Sequence, residues 1–193
     1  DVDWSRDGTR FAVVAENSLD VLSSDGSGRR TVAGSAGWDG GIAWSPDGTR
    51  IGYLNFDKGP SVVEVETGNV VPLVGLRNMA WRMSWAPDSR AVAFVNYENM
   101  ASNDIAIGQA DGSGVRTVIA GGVAPSFSPD ASRIAYQSNR DPGAGGRLVT
   151  ELHVVNADGS GNRRLTTNGR TGAADYPSWS PDGSLIVFAY NKG

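Results

Sequence analysis

The stretch Trp44-Ser45-Pro46-Asp47-Gly48 joins an aromatic residue to a turn, and an apolar run follows at 51–54. The same phrase returns through the whole chain, with starts 40, 41, 42 and 52 residues apart. A repeat of this length predicts a propeller or a solenoid. The five copies begin at Trp4, Trp44, Trp85, Phe127 and Trp179.

Each copy carries the chemistry of a tight turn between two strands. Proline fixes φ at the second position of a type I turn, and serine and glycine are favoured at the first and fourth. An aspartate such as Asp47 can also accept a hydrogen bond from the backbone about two residues on. The aspartate occurs in all five copies, whereas Arg6 replaces the proline once and Ser89 and Ala131 replace the glycine. We therefore expect these five aspartates to form turns.

The repeats continue alike after the first strand pair. A third apolar strand leads to a second turn, Asp-Gly-Ser-Gly at 25–28, 111–114 and 158–161, which the second repeat changes to 66–69. A short fourth strand follows. The strands are short, barely alternating and rich in β-branched and aromatic residues, as is typical of strands covered on both faces. Four strands per repeat describe a propeller blade.

Together, WSPDGTRIGY (44–53), DGSG (158–161) and RRLT (163–166) resemble the TolB-like β-propeller repeat. The same repeat occurs in prolyl-oligopeptidase-like propeller domains. The resemblance implies an all-β fold of four-stranded antiparallel blades and a periplasmic or extracellular location. Members usually have six or seven blades, whereas this chain has four full repeats and a fifth that stops after its second strand. The first residues show no signal peptide, so we expect either a removed leader or an excised segment.

The organisation predicted from the repeats is a single β-propeller domain over 1–193 with eighteen strands. It is either a ring of about five blades with the last incomplete, or a segment of a six- to seven-bladed propeller. Open blade edges would permit self-association. The repeats span about 3–42, 43–83, 84–125, 126–177 and 178–193.

Composition excludes several classes of function. The net charge is −4 and the 17 basic residues are scattered, which argues against a nucleic-acid partner. The absence of cysteine excludes disulfides and thiolate metal sites, and no stretch is apolar enough to span a membrane. Segment 156–162 has the start of a calcium loop, but Thr167 stands where the bidentate carboxylate is needed. We expect neither a metal site nor a cofactor.

Catalytic constellations are also missing from the sequence. His153 is the only histidine, and no G-x-S-x-G elbow or phosphate-binding G-x-x-x-x-G-K motif occurs. We therefore expect a protein that is not an enzyme.

Blade geometry separates the scaffold from the candidate site. In a four-stranded meander, the first and third turns lie on one rim, and the second turn and the link between blades lie on the other. The repeated turns therefore share one rim, which we call the repetitive rim. The opposite rim carries the variable loops and links, and we call it the variable rim. Function is expected there, because loops on a rigid scaffold carry it.

The variable rim places aromatic residues beside Asn, Asp and Arg, which suits clamping a peptide or stacking on a sugar. The alternative is that the tryptophans of the links only pad the entrance to the next blade. The candidate ligand-binding residues are Trp38, Asp39, Arg77, Asn78, Trp81, Asn96, Tyr97, Glu98, Asn139, Arg140, Asp175 and Tyr176.

Three functions remain open at this point. The first is a non-enzymatic binding module that presents the variable rim to a protein or peptide partner. The second is a carbohydrate-binding, lectin-like propeller, and the third is the accessory propeller of a hydrolase whose catalytic domain is not in this chain.

The five repeated aromatics are expected to be structural, wedged between blades. Charges just after the third turn are expected to be solvated; they are Arg29, Arg30, Arg163 and Arg164.

Overall fold

The structure is a computed structural model that describes residues 1–37, 41–73, 79–97, 103–138, 150–167 and 172–192. For 79–81 and 192 it describes the backbone alone. Within these ranges the chain forms eighteen β-strands in five antiparallel sheets.

Each sheet contains strands in chain order, and we number the sheets blade 1 to blade 5. Blade 1 contains β1 (Val2–Trp4), β2 (Arg10–Ala15), β3 (Ser18–Ser23) and β4 (Arg30–Ala33). Blade 2 contains β5 (Ala43–Trp44), β6 (Arg50–Asn55), β7 (Gly59–Glu64) and β8 (Val70–Pro72). Blade 3 contains β9 (Met79–Trp85), β10 (Ala91–Tyr97), β11 (Asp104–Gln109) and β12 (Val115–Ala120). Blade 4 contains β13 (Val123–Phe127), β14 (Arg133–Ser138), β15 (Glu151–Asn156) and β16 (Arg163–Arg164), and blade 5 contains β17 (Gly172–Trp179) and β18 (Ile186–Lys192).

This arrangement confirms the all-β propeller fold. Buried apolar side chains form clusters that join neighbouring blades, such as Leu19 and Val21 of blade 1 with Ile51 and Tyr53 of blade 2. The single-domain organisation over 1–193 and the repeat bounds stay predictions, which these shared clusters support.

The turn after each first strand is closed by its own side chains. In blade 2, the Ser45 hydroxyl donates to Asp47 Oδ1 (2.6 Å) and accepts the Arg50 N–H (2.9 Å). Asp47 Oδ1 also accepts the N–H of Thr49 (3.0 Å), two residues on. The corresponding aspartates accept the same backbone bond in the other four turns. The predicted role of the aspartates as turn formers is confirmed.

The fourth position of this turn adopts a left-handed conformation. Gly48 has φ 71°, and its N–H donates to Ser45 O at 2.9 Å. Where glycine is missing, Ser89 and Ala131 adopt the same conformation with φ 59°. A side chain makes this conformation costly, which explains why glycine is preferred there.

The two repeated turns meet on one rim, as predicted. Ser24 N donates to Thr9 O in blade 1, and Ala110 N donates to Arg90 O in blade 3. Segment 156–162 is also a turn, because Asp158 Oδ1 accepts both the N–H and the hydroxyl of Ser160.

Contacts between blades follow a directional pattern. The indole N–H of Trp44 donates back to Asp3 O (3.1 Å) in blade 1, and that of Trp85 donates to Ala43 O (2.8 Å) in blade 2. An arginine of the earlier blade lies over the same ring, as Arg50 lies over Trp85 with 5.5 Å to the centroid. Its guanidinium also donates to Ser89 O of the next blade (2.7 Å). Blades 2, 3 and 5 are therefore held through their own tryptophan and the arginine of the preceding blade.

Burial confirms the structural role of most of the repeated aromatics. Trp44, Trp85 and Phe127 are 6%, 7% and 8% exposed. The expectation is wrong for Trp4, which is 52% exposed. It lies on the outer face of blade 1, where the described chain supplies no earlier sheet. On the other outer face, large apolar side chains of blade 5 are exposed, namely Leu185, Val187, Phe188 and Tyr190; self-association through such open faces stays a prediction.

All four arginines after the third turn are exposed, as expected, but two of them also bind buried carboxylates. Arg29 Nε donates to Asp20 Oδ2 (2.8 Å), and Arg164 donates to Glu151 Oε1 (2.6 Å). Both carboxylates are buried, and a buried charge needs an opposite charge and hydrogen bonds. Arg30 donates to Val65 O in the next blade, and Arg163 is exposed.

Candidate binding site on the variable rim

Most of the sequence-derived candidates fall where the structure gives no description, and these stay predictions. For Trp81 the backbone alone is described, in strand β9. Asn96, Tyr97, Asp175 and Tyr176 are described with their side chains. The candidates outside the described residues are Trp38, Asp39, Arg77, Asn78, Glu98, Asn139 and Arg140.

The innermost strands of blades 3, 4 and 5 share a β-bulge on the way to the repeated aromatic. The register shifts at Arg82, Ala124 and Tyr176, whose φ angles are 51°, 51° and 57°. Each lies three residues before its blade's aromatic, and Gly41 (φ 70°) holds the same position in blade 2. A bulge that begins with a left-handed residue redirects the side chain from the ordinary alternation of the strand.

Asp175 and Tyr176 are fixed by contacts with two other blades. Thr150 Oγ1 donates to Asp175 Oδ1 (2.8 Å), and Tyr176 N donates to Gln137 Oε1 (3.3 Å). The guanidinium of Arg82 lies over the Tyr176 ring, 4.0 Å from its centroid. The bulge of blade 5 is therefore anchored to blade 4 and capped by an arginine of blade 3.

A pocket of about 90 Å³ opens beside these contacts, and we call it the polar pocket. The Gln137 side chain uses its oxygen for Tyr176 N, so its amide donors are available to a ligand. In the described residues no hydrogen bond is seen from the side chain of Asn103. The lining residues are Asn103, Gly121, Val123, Gln137, Ser138 and Thr150.

Asn96 and Tyr97 lie at the blade 3 side of this region. Asn96 pairs with Asp104, the residue after Asn103, and Asp104 Oδ1 accepts the Gly121 N–H (3.0 Å). In blade 2, the counterpart Asn55 accepts the N–H groups of the following loop. Asn96 Oδ1 is buried and has no hydrogen-bond partner in the part of the chain that is described. The structure thus places Asn96 and Tyr97 at the end of β10 in blade 3, and Asp175 and Tyr176 in the bulge of blade 5 beside the polar pocket.

Residues that sequence reasoning missed complete the site. They are Arg82, Asn103, Gln137 and Thr150. One signal was present, since Arg82 precedes Trp85 by the same three residues that separate Tyr176 from Trp179. Asn103 and Thr150 come just before apolar strands and Gln137 lies near the end of one, without any pattern of their own.

The strongest pKa shifts lie on the repetitive rim and have a structural cause. A serine hydroxyl and two bonds from the residue after the glycine position lower the pKa of Asp7 to about 2. For Asp47, burial alone would raise the pKa, but the bonds from Ser45 and Thr49 outweigh it and lower the pKa to about 2. The same hydroxyl arrangement lowers the pKa to about 2 at Asp130 and Asp182. Perturbed pKa values commonly mark functional sites, but here they mark turns.

A cleft of about 220 Å³ on the repetitive rim lies between the turns of blades 4 and 5. Its carboxylates, Asp130 and Asp182, already accept hydroxyls within their own turns. Arg133 in its wall stacks on Trp179 with 4.8 Å to the centroid. These contacts assign the cleft to the blade interface.

Two features are absent from the described ranges. They contain no group of three or more His, Cys, Asp or Glu side chains placed to hold a metal ion. They also contain no helix long and apolar enough to cross a membrane.

Comparison with known proteins agrees with the fold. The model of the TolB beta propeller domain matches residues 5–193. The Tol-Pal system protein TolB of Anaeromyxobacter dehalogenans (strain 2CP-C) is 36% identical over 109 residues, which cover 54% of this chain and 23% of that protein. The match thus spans less than a quarter of the curated relative's length.

Solved structures share the architecture at lower identity. A putative TolB from Agrobacterium tumefaciens superposes with a TM-score of 0.74 at 22% identity, covering 99% of this chain and 69% of that one. TolB from Acinetobacter baumannii gives 0.69 at 20% identity, covering 100% and 49%. An oligogalacturonate lyase in complex with manganese gives 0.74 at 15% identity, covering 98% and 57%. At these identities the similarity shows the fold alone.

Proposed function

Because the chain belongs to the TolB beta propeller domain family, we propose that it is a protein-binding module that holds a segment of a partner protein against its variable rim. The proposal assigns no chemical step to the chain. Recognition depends on the polar region that runs from Asn96 and Tyr97 in blade 3 to Asp175 and Tyr176 in blade 5.

The observation that carries the proposal is the form of the polar pocket. At about 90 Å³ it is well below the several hundred Å³ of a pocket that encloses a small-molecule ligand. A space of this size takes one side chain or a short piece of backbone from a partner. The amide donors of Asn103 and Gln137 suit the carbonyl groups of such a segment.

The relatives supply the biological setting of the proposal. A match to a Tol-Pal system protein supports a partner within a Tol-Pal system. The family resemblance supports a periplasmic location. The lyase neighbours support the architecture only, and a catalytic role for this chain is not part of the proposal.

The test measures binding of the chain to the soluble regions of the Tol-Pal proteins encoded in the same genome, by biolayer interferometry. Gln137→Ala removes an amide at the polar pocket, and we expect about tenfold weaker binding, the effect of one or two hydrogen bonds. Gln109→Ala is the matched control, because Gln109 ends β11 at the repetitive rim. Its affinity should equal that of the unmodified chain.

Two results would contradict the proposal. Absence of binding to every Tol-Pal protein would refute the partner. Weaker binding by the Gln109 variant, with normal binding by the Gln137 variant, would place recognition on the repetitive rim and refute the use of the variable rim.

A further inference from the structure

Arg82 and Tyr176 form a contact that skips a blade, and we call them the axis pair. Arg82 belongs to the innermost strand of blade 3 and Tyr176 to that of blade 5. Their separation is 4.0 Å from guanidinium carbon to ring centroid. A side chain that joins the innermost strands of two non-adjacent blades has to cross the space near the ring axis. The axis pair therefore lies over the central channel.

The row of bulges explains how this crossing is possible. Ala124 occupies the same bulge position in the intervening blade 4 and has only a methyl group there. Gly41 holds the position in blade 2, close to Arg82, since a Cβ on Gly41 would lie 3.4 Å from Arg82 Cα. Small residues on both sides thus leave room for the arginine and the tyrosine to meet.

The hydrogen-bonding capacity of Arg82 is unused by the described residues. Arg10 and Arg50 also stack on rings, but their guanidinium groups donate to the carbonyls of Gly48 and Ser89. Arg29 and Arg164 are paired with carboxylates. For Arg82, the described residues supply the ring of Tyr176 and no hydrogen bond or ion pair. Within the described ranges its N–H groups are therefore open to a partner.

The chemistry of such a partner follows from the guanidinium. Stacking on a ring fixes its plane and leaves the N–H edge open, and that edge matches a carboxylate bidentately. Among the described residues, two carboxylates of the neighbouring strands are already engaged, since Asp175 accepts the Thr150 hydroxyl and Asp1 accepts the Gly41 N–H. Resting on the proposed protein-binding function, we infer that the axis pair binds the carboxylate of an acidic residue in the partner segment.

The experiment uses the full chain and a capped acidic peptide, Ac-Gly-Glu-Gly-NH₂, with Ac-Gly-Gln-Gly-NH₂ as the uncharged match. NMR follows the Nε–H signal of Arg82 while each peptide is added up to about 10 mM, a range that detects weak binding. The glutamate peptide should shift this signal to saturation, and the glutamine peptide should leave it unchanged. No saturable shift with the glutamate peptide would overturn the inference.

Variants then locate the binding. Arg82→Gln should weaken glutamate-peptide binding by at least about tenfold, as expected for the loss of a charge-assisted bidentate contact. Tyr176→Gly removes the ring while favouring the left-handed backbone there, so weaker binding by this variant cannot come from backbone strain. Arg90→Gln is the control, because Arg90 is an exposed arginine of the same blade at the repetitive rim. It should bind normally.

The outcomes separate this inference from the proposed function. If Gln137→Ala weakens binding of the protein partner and Arg82→Gln does not, the rim function stands and the carboxylate contact is refuted. If an oligogalacturonate shifts the Arg82 signal and the glutamate peptide does not, the ligand is an acidic sugar and the inference is refuted. If binding depends on Arg90 instead, both proposals fall.

Discussion

Replacing Trp85 by phenylalanine tests the directional contact between blades. The indole N–H of Trp85 donates to Ala43 O at 2.8 Å, and the ring is 7% exposed. Loss of this hydrogen bond costs about 1 kcal/mol. The ring becomes roughly 40 Å³ smaller, and at about 24 cal/mol per Å³ the void costs ~1 kcal/mol more. Trp85→Phe should therefore lower the free energy of unfolding by about 2 kcal/mol.

The fold itself should survive this substitution. Phe127 already occupies the same register in blade 4, where its N–H donates to Ser84 Oγ at 3.1 Å. The matched control is Trp4→Phe, which makes the same chemical change in the same register at a ring that is 52% exposed. An exposed ring leaves no closed void, so the control should change stability by less than about 0.5 kcal/mol.

Urea unfolding followed by far-ultraviolet circular dichroism measures both variants, because tryptophan fluorescence would change with the substitution itself. A loss below about 0.5 kcal/mol for Trp85→Phe would refute the reasoning. Equal losses for the two variants would refute it as well, since the blade contact would then contribute nothing.

Three further predictions concern the scaffold. Four of the turn aspartates, Asp7, Asp47, Asp130 and Asp182, have pKa values lowered to about 2, so they stabilise the fold above about pH 4. Urea midpoints should therefore fall as pH drops from about 4 to 2, and an unchanged midpoint would contradict this. Asp20→Ala should lower the free energy of unfolding in urea by about 2 kcal/mol, because the buried carboxylate binds Arg29 and Thr31. The control is Glu66→Ala, which removes an exposed ion pair and should cost less than about 1 kcal/mol. Ala131→Gly should raise the free energy of unfolding in urea by relieving the left-handed strain. Gly8→Ala should lower it by about 1 kcal/mol through the backbone alone, since no atom lies within 4 Å of the added Cβ; opposite signs would contradict the assignment.

The fold was predictable because its determinants are local. Each turn is closed by residues within five positions of each other, such as Ser45, Asp47 and Arg50, so one copy of the phrase suffices to fix one hairpin. Repetition then extends the prediction from one hairpin to the full set of blades.

The ion pair between Arg29 and Asp20 shows a limit of general rules. Charges on edge strands are commonly solvated, and that rule correctly predicted an exposed Arg29 but gave it no ionic partner. The contrary signal was an aspartate in the middle of the apolar strand β3, which a buried position can accept only with a cationic partner. Considering Asp20 would have added the ion pair to the prediction.

The site was only partly predictable because it depends on how successive blades are arranged around one axis. Asp175 and Tyr176 follow from the position of the blade link, but the contact between Tyr176 and Arg82 arises only when blades 3, 4 and 5 bend around one axis. No local pattern encodes that angle. The small side chain of Ala124, which leaves the path open, carries no signal of function when the sequence is considered alone.

The contact between blades has a consequence for how such chains evolve. Blade 2 contains both halves of this contact, because Trp44 donates back to blade 1 and Ala43 O receives the tryptophan of blade 3. A duplicate of such a repeat therefore carries both the donor and the acceptor of the contact between blades. Tandem duplication or loss can change the number of blades by whole units, since a nearest-neighbour array requires no new contact elsewhere. This contact fixes which blade packs against which neighbour. The number of blades in the ring is then set by the angle between successive blades.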